Sequence, residues 1–106
     1  MTATTTAANA VGQNTARRFL YIKNYANVPS SQSAQTGSIY VAFGTTATKG
    51  TAGELELVPG AEYIFGGPLP PRVGNLPKGF VLPACPTEAI SVLASSGTVY
   101  GAVMEQ

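Results

Sequence analysis

The chain has 106 residues, of which 44% are hydrophobic and only 10% charged, with a net charge of +1. That length is one domain, and the hydrophobic share is too high for disorder. His, Asp and Trp are absent and Cys85 stands alone, which excludes a His-based triad, a His-containing zinc site, an Asp-rich calcium loop, a cysteine-cluster metal site and an intrachain disulfide, so no cofactor is expected.

Residues 1–16 are mostly Thr, Ala, Asn and Gln and carry no charge before Arg17. A stretch with so little to bury is expected to be a flexible N-terminal arm, either frayed or ordered against a partner subunit. It has neither the basic start nor the apolar run of a signal peptide, and no apolar run in the chain approaches a membrane span, so no membrane partner is expected. Residues 17–106 read as a single β domain. In Arg18-Phe19-Leu20-Tyr21-Ile22-Lys23, Leu20 and Ile22 share one face and Phe19 and Tyr21 the other. Asn24 to Gly37 is a polar loop, after which Ile39, Val41 and Phe43 alternate cleanly along a second strand. Gly44 to Gly53 is a loop, and Glu54-Leu55-Glu56-Leu57-Val58 is charged on one face and apolar on the other.

Pro59-Gly60 predicts a type II turn, because proline presets φ at the second position and glycine accepts positive φ at the third. Glu62-Tyr63-Ile64-Phe65 follows as a strand. Residues 66–87 form a Pro-rich excursion holding Pro68, Pro70, Pro71, Pro77, Pro83 and Pro86, through which no central strand can run, with Phe80-Val81-Leu82 as a brief edge strand. Residues 88–94 and 98–104 flank Ser95-Ser96-Gly97 and read as a closing hairpin. No helical stripe of useful length is present. The expected fold is therefore all-β: a small antiparallel β-sandwich, jelly-roll-like.

Chemistry-bearing patterns are few. Glu54 and Glu56 share a strand face and Glu62 follows across the turn, so a hairpin there would create a carboxylate pair of the kind used in glycoside hydrolysis; a solvated face is the plainer reading. Cys85 has no His to activate it and reads as a small buried hydrophobe with a structural role. Gly67-Pro68-Leu69-Pro70-Pro71-Arg72 has a polyproline-like cast, with stiff-loop packing the plainer reading. The six basic residues (Arg17, Arg18, Lys23, Lys49, Arg72 and Lys78) are scattered, which is no nucleic-acid footprint. Arg17 and Arg18 open the first strand either as partners for another protein's carboxylates or as edge charges. The residues expected at a partner interface are Arg17, Arg18, Pro70, Pro71 and Arg72.

Taken together, Arg17 to Asn24, Gly37 to Gly44, Leu57 to Tyr63 and Ser95 to Val99 form a series that resembles small β-sandwich virion proteins of tailed bacteriophages. That group includes capsid decoration, or cement, proteins and related head or tail modules. The resemblance covers roughly residues 17–65 and 88–104 and rests on strand-plus-turn signatures; the arm and the Pro-rich stretch have no counterpart in it. It implies a non-enzymatic protein, made in the host cytoplasm, that sits on the capsid surface of the virion, binds the major capsid protein and forms a dimer or trimer. The alternative is a tail or fibre accessory module, with a host glycan as its ligand. Few charges, a flexible arm and a stiff loop suit a lattice component, which hides much of its surface, and copy number per particle separates it from the tail module.

Overall fold

The computed structural model describes residues 1–49, 55–66 and 85–106. Among these residues there are eight strands and no helix: β1 (Thr2–Ala3), β2 (Ala8–Val11), β3 (Phe19–Asn24), β4 (Ile39–Phe43), β5 (Leu55–Leu57), β6 (Glu62–Gly66), β7 (Ile90–Ala94) and β8 (Val99–Glu105). They form two antiparallel four-stranded sheets, ordered β1-β8-β3-β6 and β2-β7-β4-β5. The first strand pairs with the last, the second with the seventh, the third with the sixth and the fourth with the fifth. One long hairpin has thus been wound on itself, and the β3–β8 and β4–β7 ladders close the winding. This is the strand order of a jelly roll. The expected all-β sandwich is what the chain forms.

Period-two alternation selects what lies between the sheets. Leu20 and Ile22 of β3, Ile39 and Val41 of β4, Ile90 and Val92 of β7 and Val99 of β8 are all buried in one cluster. Each such side chain contributes about 1.5–3 kcal/mol by leaving water. Directly paired residues share a face, so Phe19, Tyr21 and Lys23 point outward on the first sheet together with Ile64 and Met104, the two partners of Tyr21. On the second sheet Tyr40, Glu56 and Leu93 are an outward row.

The Pro59-Gly60 turn forms as expected: the Ala61 N–H donates to the Val58 carbonyl at 2.9 Å and Gly60 has φ +85°. It closes no hairpin, because β5 belongs to the second sheet and β6 to the first. Ser95-Ser96-Gly97 likewise carries the chain from one sheet to the other, not around a hairpin. β7 is flanked by β2 and β4 and β8 by β1 and β3, so neither has an edge free for the other. Local turn chemistry is legible in the sequence; which sheet each strand enters is not.

The arm expected over residues 1–16 is instead built into the sandwich. β1 pairs with β8 (Thr2 opposite Tyr100) and β2 with β7 (Ala8 opposite Val92), so each is the outermost strand of a sheet. Ala3 is buried in the core, with Met1, Ala10 and Val11 packed against it. A segment poor in large apolar groups is held here because β7 and β8 present ready ladders, a long-range contribution that composition does not display. The β domain therefore begins at Thr2, not at residue 17. Removing residues 1–15 would strip a strand from each sheet rather than trim a tail. Most of the Pro-rich excursion, including Phe80-Val81-Leu82, lies outside the described residues.

Gly66 ends β6 with φ +61°, and a Cβ placed on it would meet the Arg18 carbonyl oxygen at 2.5 Å and the Cys85 Cβ at 2.8 Å. Gly66→Ala is expected to cost about 2 kcal/mol, through strained φ and backbone displacement, measured as a fall in the urea midpoint. A change below about 0.5 kcal/mol would mean that the Cys85 loop yields freely.

Candidate functional site

Arg17 is buried in the interior, at the end of the sandwich where β3 begins and β8 ends. Its guanidinium donates from Nε to Glu105 Oε2 at 2.5 Å, from Nη1 to the carbonyls of Pro86 (2.8 Å) and Glu88 (3.0 Å), and from Nη2 to the carbonyl of Gly12 (2.8 Å). Three separate stretches of chain are thus tied to one planar cation, which suits the rigid donor fork of arginine. The backbone reinforces the junction: the Asn14 N–H donates to the Thr87 carbonyl, and those of Arg18 and Phe19 donate to the Gln106 carbonyl. The sequence places Arg17 at a partner interface; the structure corrects this, because its donors are committed inside its own chain. Arg18 is exposed and remains available to a partner. Pro70, Pro71 and Arg72 lie outside the described residues.

Cys85 adjoins this junction, half-buried, with Sγ 3.7 Å from the Pro86 carbonyl oxygen. Burial pushes its thiol pKa up; the Arg17 charge opposes that shift and Glu105 adds to it. A thiol held protonated is a poor nucleophile. Cys85 packs against the core but is half-buried, not buried as the sequence reading expects, and it should alkylate more slowly than a free thiol in a timed maleimide reaction.

The opposite end of the sandwich holds a buried amide pair that sequence reasoning misses. Asn24 is fully buried, and its Nδ2 donates to the carbonyls of Leu57 (2.8 Å) and Gly37 (3.0 Å). Gln35, also buried, donates from Nε2 to the carbonyls of Tyr25 (2.6 Å) and Tyr100 (2.9 Å) and accepts the Tyr100 N–H at 2.8 Å. In the sequence both residues belong to a polar loop. The one available signal is register: Asn24 continues the inward series of Leu20 and Ile22.

The carboxylates do not converge. Glu56 faces outward from the second sheet beside Tyr40, and Glu62 faces outward from the first, where it accepts the Tyr21 hydroxyl at 2.5 Å. Packed sheets lie about 10 Å apart, so outward groups on opposite faces cannot share a substrate. Glu54 lies outside the described residues. Partial burial and then the neighbouring Glu56, by charge and by hydrogen bonding, push the Tyr40 hydroxyl pKa up. Glu56→Gln is therefore expected to let Tyr40 ionise at lower pH, seen in the ultraviolet phenolate titration; an unchanged titration would mean that Glu56 does not reach the hydroxyl. Among the described residues no group of three or more Cys and Glu side chains is placed to hold a metal.

Besides Arg18, the described surface offers a partner three large apolar side chains. Val58 is 53% and Tyr63 36% exposed on the side of the sandwich bounded by β5 and β6, and Met104 is 55% exposed on the outer face of the first sheet. Tyr63 is backed by rings: its centroid lies 4.7 Å from that of Phe65, which meets Phe43 edge-on at 5.3 Å. Tyr63 points toward the interior from an edge strand, and three-residue β5 is too short to roof it. A half-exposed tyrosine stacked on a second ring, with an exposed valine in the connection before its strand, is the composition of an interface anchor. Comparison with protein-family models, with curated proteins and with solved structures finds no match to this chain.

Proposed function

We propose that this chain is a non-enzymatic cement, or decoration, protein of a tailed-bacteriophage head. It sits on the outer surface of the virion capsid, binds the lattice of the major capsid protein and stabilises the shell. The observation that carries this reading is sparse charge: only eleven of 106 residues are charged, and one of them, Arg17, is spent inside the fold. A free domain of this size gains solubility from a denser coat of charge, whereas a subunit packed among neighbours does not need it. A small rigid sandwich engaging several lattice subunits gains avidity from repetition, without one tight site. In this reading the β5–β6 side, with Val58 and Tyr63, and the exposed Arg18 face the capsid.

Two measurements test the proposal. Quantitative protein stoichiometry of purified particles should give about one copy per capsid subunit, or a simple fraction of that, as lattice symmetry requires. A handful of copies per particle would favour the tail or fibre module, and absence from particles would sink the virion reading altogether. Val58→Glu should weaken particle binding by about tenfold while leaving the urea midpoint nearly unchanged, since Val58 is exposed and adds little to the fold. Unaltered binding would remove the β5–β6 side from the interface.

A further inference from the structure

Residues 1–11 have an unusual standing in this fold. They supply the outermost strand of both sheets on the same side of the sandwich, β1 on β8 and β2 on β7. What they cover is essential, because behind them lie Ile90, Val92 and Val99, all buried in the core cluster. Yet their own hold is light. β1 is two residues long, β2 is four with a register shift between Asn9 and Val11, and the whole segment has no charged side chain. Its apolar contribution is Ala3, Met1, Ala10 and Val11. Elements with little apolar packing and exposed ladders open first.

The segment also hangs from a fixed point. The Arg17 guanidinium grips the Gly12 carbonyl, and the Asn14 N–H is held by Thr87, so the body of the fold is pinned from residue 12 onward. The joint between the segment and these anchors is Gly12, exposed and with nothing within 4 Å of where a Cβ would stand, so the chain can turn at its φ while its carbonyl stays held. An essential cover, lightly held on a short hinge beside a firm anchor, is the arrangement that favours exchange between identical chains. Whatever pairing one copy gives up within itself it recovers from the other, so exchange costs little.

We propose that residues 1–11 are an exchangeable strand pair, and that the groove formed by the β7 and β8 edges accepts residues 1–11 of a second copy of this chain. The partner is fixed by identity of pairing: Thr2 opposite Tyr100 and Ala8 opposite Val92, now between chains. Reciprocal exchange gives a closed dimer, and one-way exchange an open string of subunits. The inference stands on the topology and is independent of the capsid reading.

A disulfide trap tests it in the full-length chain. Met1 and Gly101 exchange backbone hydrogen bonds, so the neighbouring pair Thr2 and Tyr100 is a non-hydrogen-bonded one, whose close Cα atoms suit a disulfide. The Thr2→Cys, Tyr100→Cys, Cys85→Ser variant is refolded over a range of concentrations, oxidised and run on a non-reducing gel, with the Thr2→Cys, Cys85→Ser variant as background. Above background, covalent dimer should rise about threefold or more over a tenfold rise in refolding concentration. Cross-links confined to single chains at every concentration overturn the proposal. Wild-type protein gives a check free of substitutions. Dimer isolated by size exclusion after concentrated refolding should, on dilution, revert only at the rate of unfolding, whereas a surface-docked dimer separates at once. Rapid separation, or no dimer at all, also overturns it.

Discussion

Arg17→Ala is expected to lower the folding free energy by about 3 kcal/mol, a large part of the roughly 5–15 kcal/mol available to a domain of this kind. The guanidinium is the shared donor for the carbonyls of Gly12, Pro86 and Glu88 and for the Glu105 carboxylate. With it gone, those carbonyls lose charge-assisted bonds at a junction closed to water, each worth about 1.5–3 kcal/mol when made. The Arg17 side chain is fully buried but that of Glu105 is 34% exposed, so the orphaned carboxylate rehydrates and the loss falls at the low end of the range for broken buried pairs. Glu105→Gln should cost only about 1 kcal/mol, since an amide oxygen still accepts from Nε. Arg17→Lys should recover less than half of the alanine loss, because one ammonium cannot span acceptors arranged for a planar fork. Urea denaturation of the three variants measures these differences. A loss below about 1 kcal/mol for Arg17→Ala would show that the three segments meet without the cation.

Asn24→Leu is the second large effect, a loss of about 2–4 kcal/mol. Leu keeps the branching at Cγ but adds bulk, so the cost combines the lost amide bonds with some overpacking. The Gly37 and Leu57 carbonyls are left without the donor that joins a loop and the end of β5 to β3. Asn24→Asp should be worse at neutral pH, because a buried carboxylate would face two carbonyl oxygens. Its pKa is raised in the folded state, so the variant's stability is greatest in acid and is lost as pH rises, the reverse of what a salt-bridged acid shows. Thermal unfolding across pH compares the variants. An Asn24→Leu protein as stable as the wild type would mean that ordered water replaces the amide at no cost.

Neither side chain's role is legible in the sequence, and for related reasons. Arg17 follows an uncharged stretch and precedes a strand, a position that suits an exposed edge charge equally well. Its burial depends on Pro86, Glu88 and Glu105 arriving from the far end of the chain. Asn24 stands where an apolar strand gives way to a polar loop, and only the carbonyls of Gly37 and Leu57 make an interior amide tolerable there. Strands with their own alternation, such as Ile39-Tyr40-Val41-Ala42-Phe43, are legible because each residue's face follows from its parity. β1 and β2 are not, since Thr, Ala and Asn form strands only where a ladder is offered.

The carboxylates show the same division. Glu56 and Glu62 are six residues apart around a type II turn whose chemistry is predicted and present. Whether they meet depends on the turn joining neighbours within a sheet or crossing between sheets, and it crosses. By itself, then, the amino-acid order determined that the chain is all-β, where six of its strands lie, which residues face the core and where the Pro59-Gly60 turn bends, because each of these is settled by interactions within a few residues. Tertiary structure alone decided that the first strand meets the last, that residues 1–11 are structure rather than tail, and that Arg17 and Asn24 hold opposite ends of the sandwich. Those outcomes rest on pairings between residues tens of positions apart, and the energy of such a pairing belongs to neither residue until the chain has brought both together.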